Sequence, residues 1–390
     1  MKHRNEDAVP ETCPAFGRCG ACQTLNMDYE EELSLKMRKL ISLLKPFGRV
    51  EEILPSPCEE GSRPTGYRNK TQVLFAYNGG RVNMGLYRSS DGGLTRVDRC
   101  PMESPELFSV VRTVRKLIDP FGLRVWDGRR GDLRHVMVRR GFRTGEILCA
   151  IVTRDGLFPR AEEFVKELTR RHPSLVSVSV IGNDSDTPLF MNGDETVLYG
   201  EGYLTDELCG CRFMVPAKAF YQINPAATEI LYRKAAEFAE VKESSRILDA
   251  YCGIGTVGIT AAKGGCASLD GFDVSADAVR FAAKNVEQNG IKNARFTERR
   301  DGSFPASEAD GRYDVIFADP PRAGCDRRFL SAVMKASPDK LVYISCNPET
   351  LARDLAVLRQ NFRVTAIQPV DLFPGTYHVE TICLLSKLKQ

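Results

Sequence analysis

The chain has 390 residues, of which 43% are hydrophobic and 27% are charged, values typical of a folded protein with two or three domains. No apolar run reaches the roughly 20 residues of a membrane-spanning helix, and the first residues lack the apolar stretch of a signal peptide, so we expect a cytoplasmic protein without a membrane partner. Thirteen cysteines, odd in number and unevenly spaced, argue against a complete disulfide framework.

Four of the cysteines have a spacing suited to metal binding. Cys13, Cys19 and Cys22 lie close together, and Cys100 stands far along the chain in the tripeptide RCP. Four thiolates suit either a tetrahedral zinc ion or an iron–sulfur cluster, and the spacing alone slightly favours zinc. Cys58 is interpreted as unligated. The alternative is that the four are unrelated core cysteines.

Residues 27–45 predict an amphipathic helix, and the apolar positions at helical spacing are Leu33, Met37, Leu40, Ile41 and Leu44. Between about residues 50 and 210, short apolar runs such as TQVLFAY, HVMVRRG and EILCAIVT are broken by Gly-rich turns. This pattern predicts an antiparallel sheet with a helix near 161–171.

The positive charge is concentrated in the middle of the chain. Residues 61–145 hold 17 Lys and Arg against 7 Asp and Glu, whereas the rest of the chain holds 37 against 44. A basic segment on a mildly acidic body indicates a polyanion-binding surface, although a solvated charged face would have the same composition.

After about residue 212 the pattern changes to short apolar strands that alternate with helices, which predicts an α/β fold with a doubly wound, mostly parallel sheet. Five such strands end near Tyr251, Asp273, Arg299, Asp319 and Cys346. Two further strands with no helix between them follow, so an antiparallel hairpin completes a seven-stranded sheet. That ending is typical of a class I methyltransferase and is absent from an ordinary dinucleotide-binding fold.

The loop after the first of these strands reads DAYCGIG and includes Tyr251 and Gly253. Its glycines let the backbone approach a ligand closely, and Asp273 at the end of the next strand can accept both hydroxyls of a ribose. The loop lacks a G-x-G-x-x-G run and a P-loop lysine, which favours S-adenosylmethionine over NAD or ATP. A plain strand–helix turn with an exposed Asp is the alternative.

Two later strands end in residues suited to chemistry. One ends in Asp319-Pro-Pro, a rigid turn that resembles the signature of methyltransferases acting on nucleobases. The other ends in Cys346, directly before a helix whose N-terminus would favour the thiolate. Taken alone, a cysteine such as Cys346 would more often be a buried strand residue than a nucleophile.

Five motifs occur in order along the chain: FYQIN, DAYCGIG, DPPRAG, SCNPETLARD and DLFPGTYHVE. Together they resemble the RNA 5-methyluridine methyltransferase family over essentially the whole chain. The resemblance implies methyl transfer to carbon 5 of a uridine, with Cys346 as the nucleophile at carbon 6 and Glu380 as the base that removes the carbon-5 proton. It implies S-adenosylmethionine binding by Gln222, Tyr251, Asp273 and Asp319, and places Phe220 near a flipped target base. Asp273 stands where the family usually has Glu.

The cysteine pattern resembles that of the rRNA-directed branch of the family, which carries a 4Fe–4S cluster. The resemblance therefore implies that Cys13, Cys19, Cys22 and Cys100 hold such a cluster and that the substrate is structured RNA, most specifically 23S rRNA. We expect an iron–sulfur segment at 1–48, a mixed α+β RNA-binding domain at 49–211 and the methyltransferase domain at 212–390, with no obligate protein partner. The alternatives are a tRNA T-loop uridine 5-methyltransferase and a non-catalytic iron–sulfur RNA-binding protein.

The central domain is expected to provide most of the affinity for RNA. Many relatives carry an N-terminal β-barrel RNA-binding domain, whereas Cys13 lies almost at the first residue of this sequence. Basic side chains next to aromatic ones can bind phosphates and stack on unpaired bases. On this basis the predicted RNA contacts are Arg68, Asn69, Lys70, Arg134 and His135.

Overall fold

A computed structural model of the chain describes residues 13–78, 80–127, 131–184, 191–299 and 313–388. Residues 1–12, where the predicted iron–sulfur segment begins, lie outside the described residues. The chain forms two compact units. The first unit contains the described residues of Met1–Met27, Arg63–Glu207 and Met214–Lys218, and the second unit those of Asp28–Ser62, Leu208–Phe213 and Ala219–Gln390. The division into three domains at 48 and 211 stays a prediction.

The helix predicted over 27–45 forms as α1, Tyr29–Leu44, and belongs to the second unit. Its buried residues follow a spacing of four, and two of them are charged: Glu32, Lys36, Leu40 and Leu44. Ile41, predicted for the apolar face, is 45% exposed. The buried face differs because Lys36 pairs with Asp371 far along the chain, a contact that apolar periodicity does not reveal.

The first unit is built on a seven-stranded sheet. Its strands are β1 (Lys70–Asn78), β2 (Arg81–Tyr87), β3 (Leu94–Arg96), β4 (Leu133–Arg140), β5 (Ile147–Thr153), β6 (Leu175–Gly182) and β7 (Glu195–Tyr199), in the order β3-β2-β1-β4-β5-β6-β7. Neighbouring strands are antiparallel except β5 and β6. β5 and β6 are parallel, and parallel neighbours need a long crossover connection. The helix at the predicted position provides that connection.

Two helices cover the core of the first unit. The sequence analysis did not predict α2 (Pro105–Leu117), which begins with a proline and buries a dense apolar stripe: Leu107, Phe108, Val110, Val111, Val114 and Leu117. The second helix, α3 (Ala161–Arg171), is the predicted one and connects β5 to β6. A short antiparallel pair, β8 (Tyr203–Leu208) and β9 (Cys211–Pro216), follows along the chain.

The sheet of the second unit has the class I methyltransferase topology that the sequence predicts. Its strands are β10 (Arg246–Ala250), β11 (Ser268–Asp273), β12 (Ala294–Glu298), β13 (Val315–Ala318), β14 (Lys340–Ser345), β15 (Phe362–Val370) and β16 (Glu380–Lys387). Their order is β12-β11-β10-β13-β14-β16-β15. The first five are parallel, and β16 runs antiparallel between β14 and β15. The helices are α4 (Pro225–Ala239), α5 (Thr256–Ala262), α6 (Ala276–Gln288), α7 (Arg327–Ala336) and α8 (Pro348–Leu358).

This topology brings several strand ends to one edge of the sheet. The carboxyl ends of β10, β11, β13 and β14 lie there because these strands are parallel. The reversed direction of β16 places its first residues at the same edge, where Thr381 pairs with Ser345. Ligands bind at this edge of open α/β sheets, near the point where the strand order reverses. Among the described residues, no helix is long and apolar enough to cross a membrane.

Candidate active site

The two predicted catalytic residues and Asp319 meet at the carboxyl edge of the second unit's sheet. Cys346 directly follows β14, Asp319 directly follows β13, and Glu380 is the first residue of β16. Burial, followed by the negative charges of Glu380 and Asp319, raises the pKa of Cys346 to about 11, which shows that the three groups lie near one another. The structure therefore joins a thiol and two carboxyl groups from three different strands.

The raised pKa of Cys346 opposes the predicted effect of the helix N-terminus on its thiolate, and that effect stays a prediction. Helix α8 does begin two residues later, and the Asn347 side chain caps it by accepting a hydrogen bond from Glu349 N at 3.1 Å. With a pKa of about 11, the Cys346 thiol is protonated near neutral pH. Nucleophilic attack by this thiol would first require removal of its proton.

Glu380 is suited to hold a proton. It is 3% exposed, and burial, followed by the charge of Asp319, raises its pKa well above the usual range for a carboxyl group. Among the described residues, its Oε2 has no hydrogen-bond partner. Burial also raises the pKa of Asp319. A carboxylate with a raised pKa is a stronger base, which is what proton removal from carbon requires.

A cation lies beside these acids that the sequence analysis did not single out. The positive charge of Arg322 lowers the pKa of both Cys346 and Glu380, and its Nη2 lies 3.1 Å from Nε2 of His378. The pocket in front of the thiol has a volume of about 200 Å³, and its lining is Lys39, Arg322, Cys346, Asn347, Pro348, Glu349, Tyr377, His378 and Val379. The signal in the sequence was the Arg of DPPRAG.

The motif SCNPETLARD holds the motif DPPRAG in place. The side chains of Asn347 and Thr350 both donate hydrogen bonds to the Arg322 carbonyl, at 3.0 and 3.2 Å. The buried carboxylate of Asp354 accepts a hydrogen bond from Cys325 N at 2.8 Å. Because these side chains fix the backbone around Arg322, the two motifs form one structural unit next to the thiol.

A buried ion cluster holds the loop that leads to Glu380. Lys36 Nζ lies 2.7 Å from Glu32 Oε1 and 2.7 Å from Asp371 Oδ1. Tyr29 donates its hydroxyl proton to Asp371 at 2.8 Å, and Glu32 accepts the Gly375 N–H at 2.9 Å. We call these four side chains, Tyr29, Glu32, Lys36 and Asp371, the loop clamp. Through it, α1 fixes the segment between β15 and β16.

Three of the predicted cofactor residues, Tyr251, Gly253 and Asp273, lie at the ends of β10 and β11. Gly253 has a positive φ of 53° and donates its N–H to Asp273 Oδ2 at 3.0 Å. A side chain at Gly253 would meet nothing within 4 Å, so the space in front of this loop is open. Buried Asp249 supports the loop by accepting the Gly258 N–H at 2.8 Å, and burial raises its pKa to about 7. The ring of Tyr251 packs against Phe272 and Phe329.

The FYQIN motif divides into structural and accessible residues. Asn224 caps α4 through Ala227 N at 3.3 Å and donates to Ser56 Oγ and the Leu372 carbonyl, so its role is structural. Gln222 is buried. Phe220 is 69% exposed, an unusual exposure for a large aromatic side chain and one that leaves its ring available for stacking.

The predicted RNA contacts lie in the first unit, where most of them are buried or hydrogen-bonded to other protein groups. Asn69 and His135 are buried, and the His135 Nε2 lies 2.7 Å from the Tyr87 hydroxyl. Burial lowers the pKa of His135 to about 4 and that of Lys70 to about 8. Arg68 donates to the Ala21 carbonyl at 3.3 Å, and Arg134 donates to the Asn183 carbonyl at 2.6 Å. Their contact with RNA stays a prediction.

The four predicted cluster cysteines line one small cavity of the first unit, together with apolar residues such as Ala15, Phe16 and Leu25. Burial raises the pKa of Cys19 and of Cys100. Cys58 is exposed and does not line this cavity. Among the described residues, no group of three or more His, Cys, Asp or Glu side chains has the arrangement of a metal site. The structure thus brings the thiols to one cavity without a coordination geometry.

Comparison with known proteins identifies the protein family to which the chain belongs. The family model described as tRNA (Uracil-5-)-methyltransferase matches residues 145–388. The chain belongs to this family. An uncharacterized RNA methyltransferase of Halalkalibacterium halodurans is 35% identical over 390 residues, which cover 99% of this chain and 85% of that protein. Another, from Listeria monocytogenes, is 32% identical over 99% of this chain and 85% of its own length.

A solved structure agrees over nearly the whole chain. The tRNA (uracil-54, C5)-methyltransferase of Pyrococcus abyssi, in complex with S-adenosyl-L-homocysteine, superposes with a TM-score of 0.78 and 28% identity. The match covers 95% of this chain and 86% of that chain. Membership of an RNA uracil-5-methyltransferase family and the class I methyltransferase fold are therefore confirmed.

Proposed function

We propose that the protein transfers a methyl group from S-adenosylmethionine to carbon 5 of a specific uridine in RNA, through a covalent adduct between Cys346 and carbon 6. The observation that carries the proposal is the meeting of Cys346, Glu380 and Asp319 at the carboxyl edge of a methyltransferase sheet. A thiol beside a buried carboxylate supplies a nucleophile and a base in one place.

The chain's own residues account for the steps at the base. Cys346 gives up its thiol proton to the Asp319 carboxylate, which leaves Glu380 ionised. The Cys346 thiolate then adds to carbon 6, so that negative charge develops on the uracil ring and makes carbon 5 nucleophilic. Arg322 stabilises this charge because it already favours the anionic forms of its neighbours. S-adenosylmethionine supplies an electrophilic methyl group. Glu380 then removes the carbon-5 proton, and the electron pair released expels the Cys346 thiolate.

The remaining site residues take supporting roles in this proposal. The open face of Gly253 and the carboxylate of Asp273 lie where a nucleoside would bind, and Tyr251, Gln222 and Asp319 complete the cofactor set. Phe220 stacks on the target base after that base has left its RNA helix or loop. The exposed ring of Phe220 and its place in the same unit as Cys346 support this role.

A 4Fe–4S cluster held by Cys13, Cys19, Cys22 and Cys100 is part of the same proposal. Four thiols around one largely apolar cavity are costly to ionise, as the raised pKa of Cys19 and of Cys100 shows, and iron would compensate thiolate charge there. Anaerobically purified protein should be brown and contain iron. Colourless protein with one zinc ion per chain would instead identify a zinc site.

We further propose 23S rRNA as the substrate, on the strength of the four-cysteine pattern. The purified protein, supplied with methyl-labelled S-adenosylmethionine, should label a 23S rRNA transcript, and Cys346→Ala should remove all labelling. Labelling of tRNA alone would favour a tRNA uridine methyltransferase. RNA binding without labelling of either RNA would identify a non-catalytic RNA-binding protein and overturn the proposal.

A further inference from the structure

A second, open pocket of the first unit is lined mainly by arginines. Its volume is about 570 Å³, and its lining consists of Pro14, Arg18, Arg96, Asp98, Arg99 and Arg112. We call it the arginine pocket. None of these arginines belongs to the predicted RNA contacts, and all of them are exposed.

Several separate segments build the arginine pocket. Arg18 lies in the turn before Cys19, and its carbonyl accepts the Ser89 N–H at 3.1 Å. Arg96 ends β3, and Arg112 projects from α2 and donates to the Asp98 carbonyl at 3.1 Å. The position of the pocket is therefore set by the folded core of the unit and not by one mobile loop.

The arginine pocket has a large excess of positive charge. Asp98 is its single acidic lining residue, and its carboxylate is shared between Arg96 Nε at 3.4 Å and Arg115 Nη1 at 3.7 Å. Arg18 donates a hydrogen bond to the Pro14 carbonyl at 2.6 Å and forms no ion pair with a described residue. Within the described residues, Arg99 makes no side-chain hydrogen bond or ion pair. Like charges gathered at a concave surface raise the local concentration of an anion.

The geometry points to a phosphate group as that anion. The guanidinium group presents a planar fork of N–H donors that fits phosphate oxygens. A large open pocket can accommodate a continuous nucleic-acid strand, whereas a site for a small metabolite is usually enclosed. Backbone phosphates receive at least half of the hydrogen bonds that proteins make to nucleic acids. We propose that the arginine pocket binds backbone phosphates of the substrate RNA. This rests on the proposed function of the protein.

The arginine pocket also adjoins the cysteine cavity. Arg99 lines both, and Arg18 and Arg99 each directly precede a cysteine of that cavity. The backbone that presents these arginines is thus the backbone that carries Cys19 and Cys100. RNA docked here would lie against the cysteine segment, which assigns that segment a place in the RNA-binding surface of the unit.

The test compares two double variants of the whole protein. Arg18→Gln/Arg99→Gln removes two charges inside the pocket, and Arg81→Gln/Arg124→Gln removes two exposed charges of the same unit outside it. Affinity for a labelled 23S rRNA transcript is measured by fluorescence anisotropy at several salt concentrations. We expect the first variant to bind about tenfold more weakly and its salt slope to fall by about 1 per lost phosphate contact. We expect little change in the control variant and unchanged S-adenosylmethionine affinity in both.

Two results would overturn the proposal: an unchanged affinity and slope in the pocket variant, or an equal loss in the control variant. A pocket variant that loses binding to anionic lipid vesicles but keeps RNA binding would overturn it as well. If Arg18→Gln/Arg99→Gln does not fold, Arg112→Gln on the surface of α2 replaces it. Labelling of RNA by the wild-type protein is scored separately, so failure of the pocket and failure of the proposed methyl transfer are distinguishable.

Discussion

At the residue scale, the reactivity of Cys346 depends on charges from distant parts of the chain. Burial and then the carboxylates of Glu380 and Asp319 raise its pKa, Arg322 lowers it, and the net value is about 11. Replacement of Glu380 by a neutral residue removes a charge that disfavours the thiolate. At pH values where Glu380 is ionised, we therefore expect Glu380→Gln to lower the pKa of Cys346.

This sign gives a prediction for thiol alkylation. Below a pKa of about 11, the labelling rate of Cys346 by iodoacetamide should rise about tenfold per pH unit, because only the thiolate reacts. In Glu380→Gln the whole curve should shift to lower pH. Mass spectrometry of the Cys346 peptide measures the rate. Glu349→Gln is the control, since Glu349 lines the same pocket but pairs with Lys39 at 2.8 Å. A superimposable curve for Glu380→Gln would contradict the assigned electrostatics.

Glu380 also decides whether the covalent adduct breaks down. Its substitution by Gln keeps the shape of the side chain and removes the base, so attack and methyl transfer should proceed while elimination stalls. A complex between Cys346 and methylated RNA should then accumulate as a slowly migrating band on a denaturing gel. The same band must be absent from Cys346→Ala. Normal turnover without a band would exclude Glu380 as the base.

At the element scale, α1 acts through the loop clamp. Lys36 lies between the buried carboxylates of Glu32 and Asp371, and Glu32 in turn binds the backbone of the loop that precedes β16. Removal of one partner from a buried ion cluster leaves uncompensated charge, which costs about 3 kcal/mol or more. The helix thereby couples folding stability to the position of Glu380.

We predict that Lys36→Met lowers the free energy of unfolding by about 3 kcal/mol and slows adduct formation. Urea unfolding gives the stability, and single-turnover labelling at a temperature where the variant is folded gives the rate. Arg38→Met is the matched control, because Arg38 is exposed on the same helix. S-adenosylmethionine affinity should stay unchanged in both variants. An unaltered rate of adduct formation in folded Lys36→Met would show that the clamp stabilises the protein without positioning Glu380.

At the scale of the whole molecule, the methyltransferase sheet could be predicted from sequence because its information is local. β13, β14 and β16 contain short apolar runs, Asp273 is the last residue of β11, and Asp319 and Cys346 directly follow β13 and β14. A parallel topology then brings such ends to one edge. The predicted hairpin placed Glu380 at the same edge for the same reason.

The rest of the site depends on contacts between residues distant in sequence. Lys36 and Asp371 are 335 residues apart, so no periodicity reveals their pairing. The pKa of Cys346 depends on burial and on charges from two other strands, and local sequence showed only the favourable helix N-terminus. Helix α2 was missed although its apolar stripe and the preceding Ser104-Pro105 were visible in the sequence. There the error lay in reading short apolar runs as strands.

The placement of β16 between β14 and β15 has a consequence for synthesis on the ribosome. Translation proceeds from N- to C-terminus, so β15 emerges before the strand that connects it to the sheet. Until Glu380–Lys387 has left the exit tunnel, β14 presents an open edge and the proposed base is missing. A nascent chain with Cys346 already exposed would therefore lack the residue that releases product. In the proposed function, the site is therefore complete only after β16 has paired with β14.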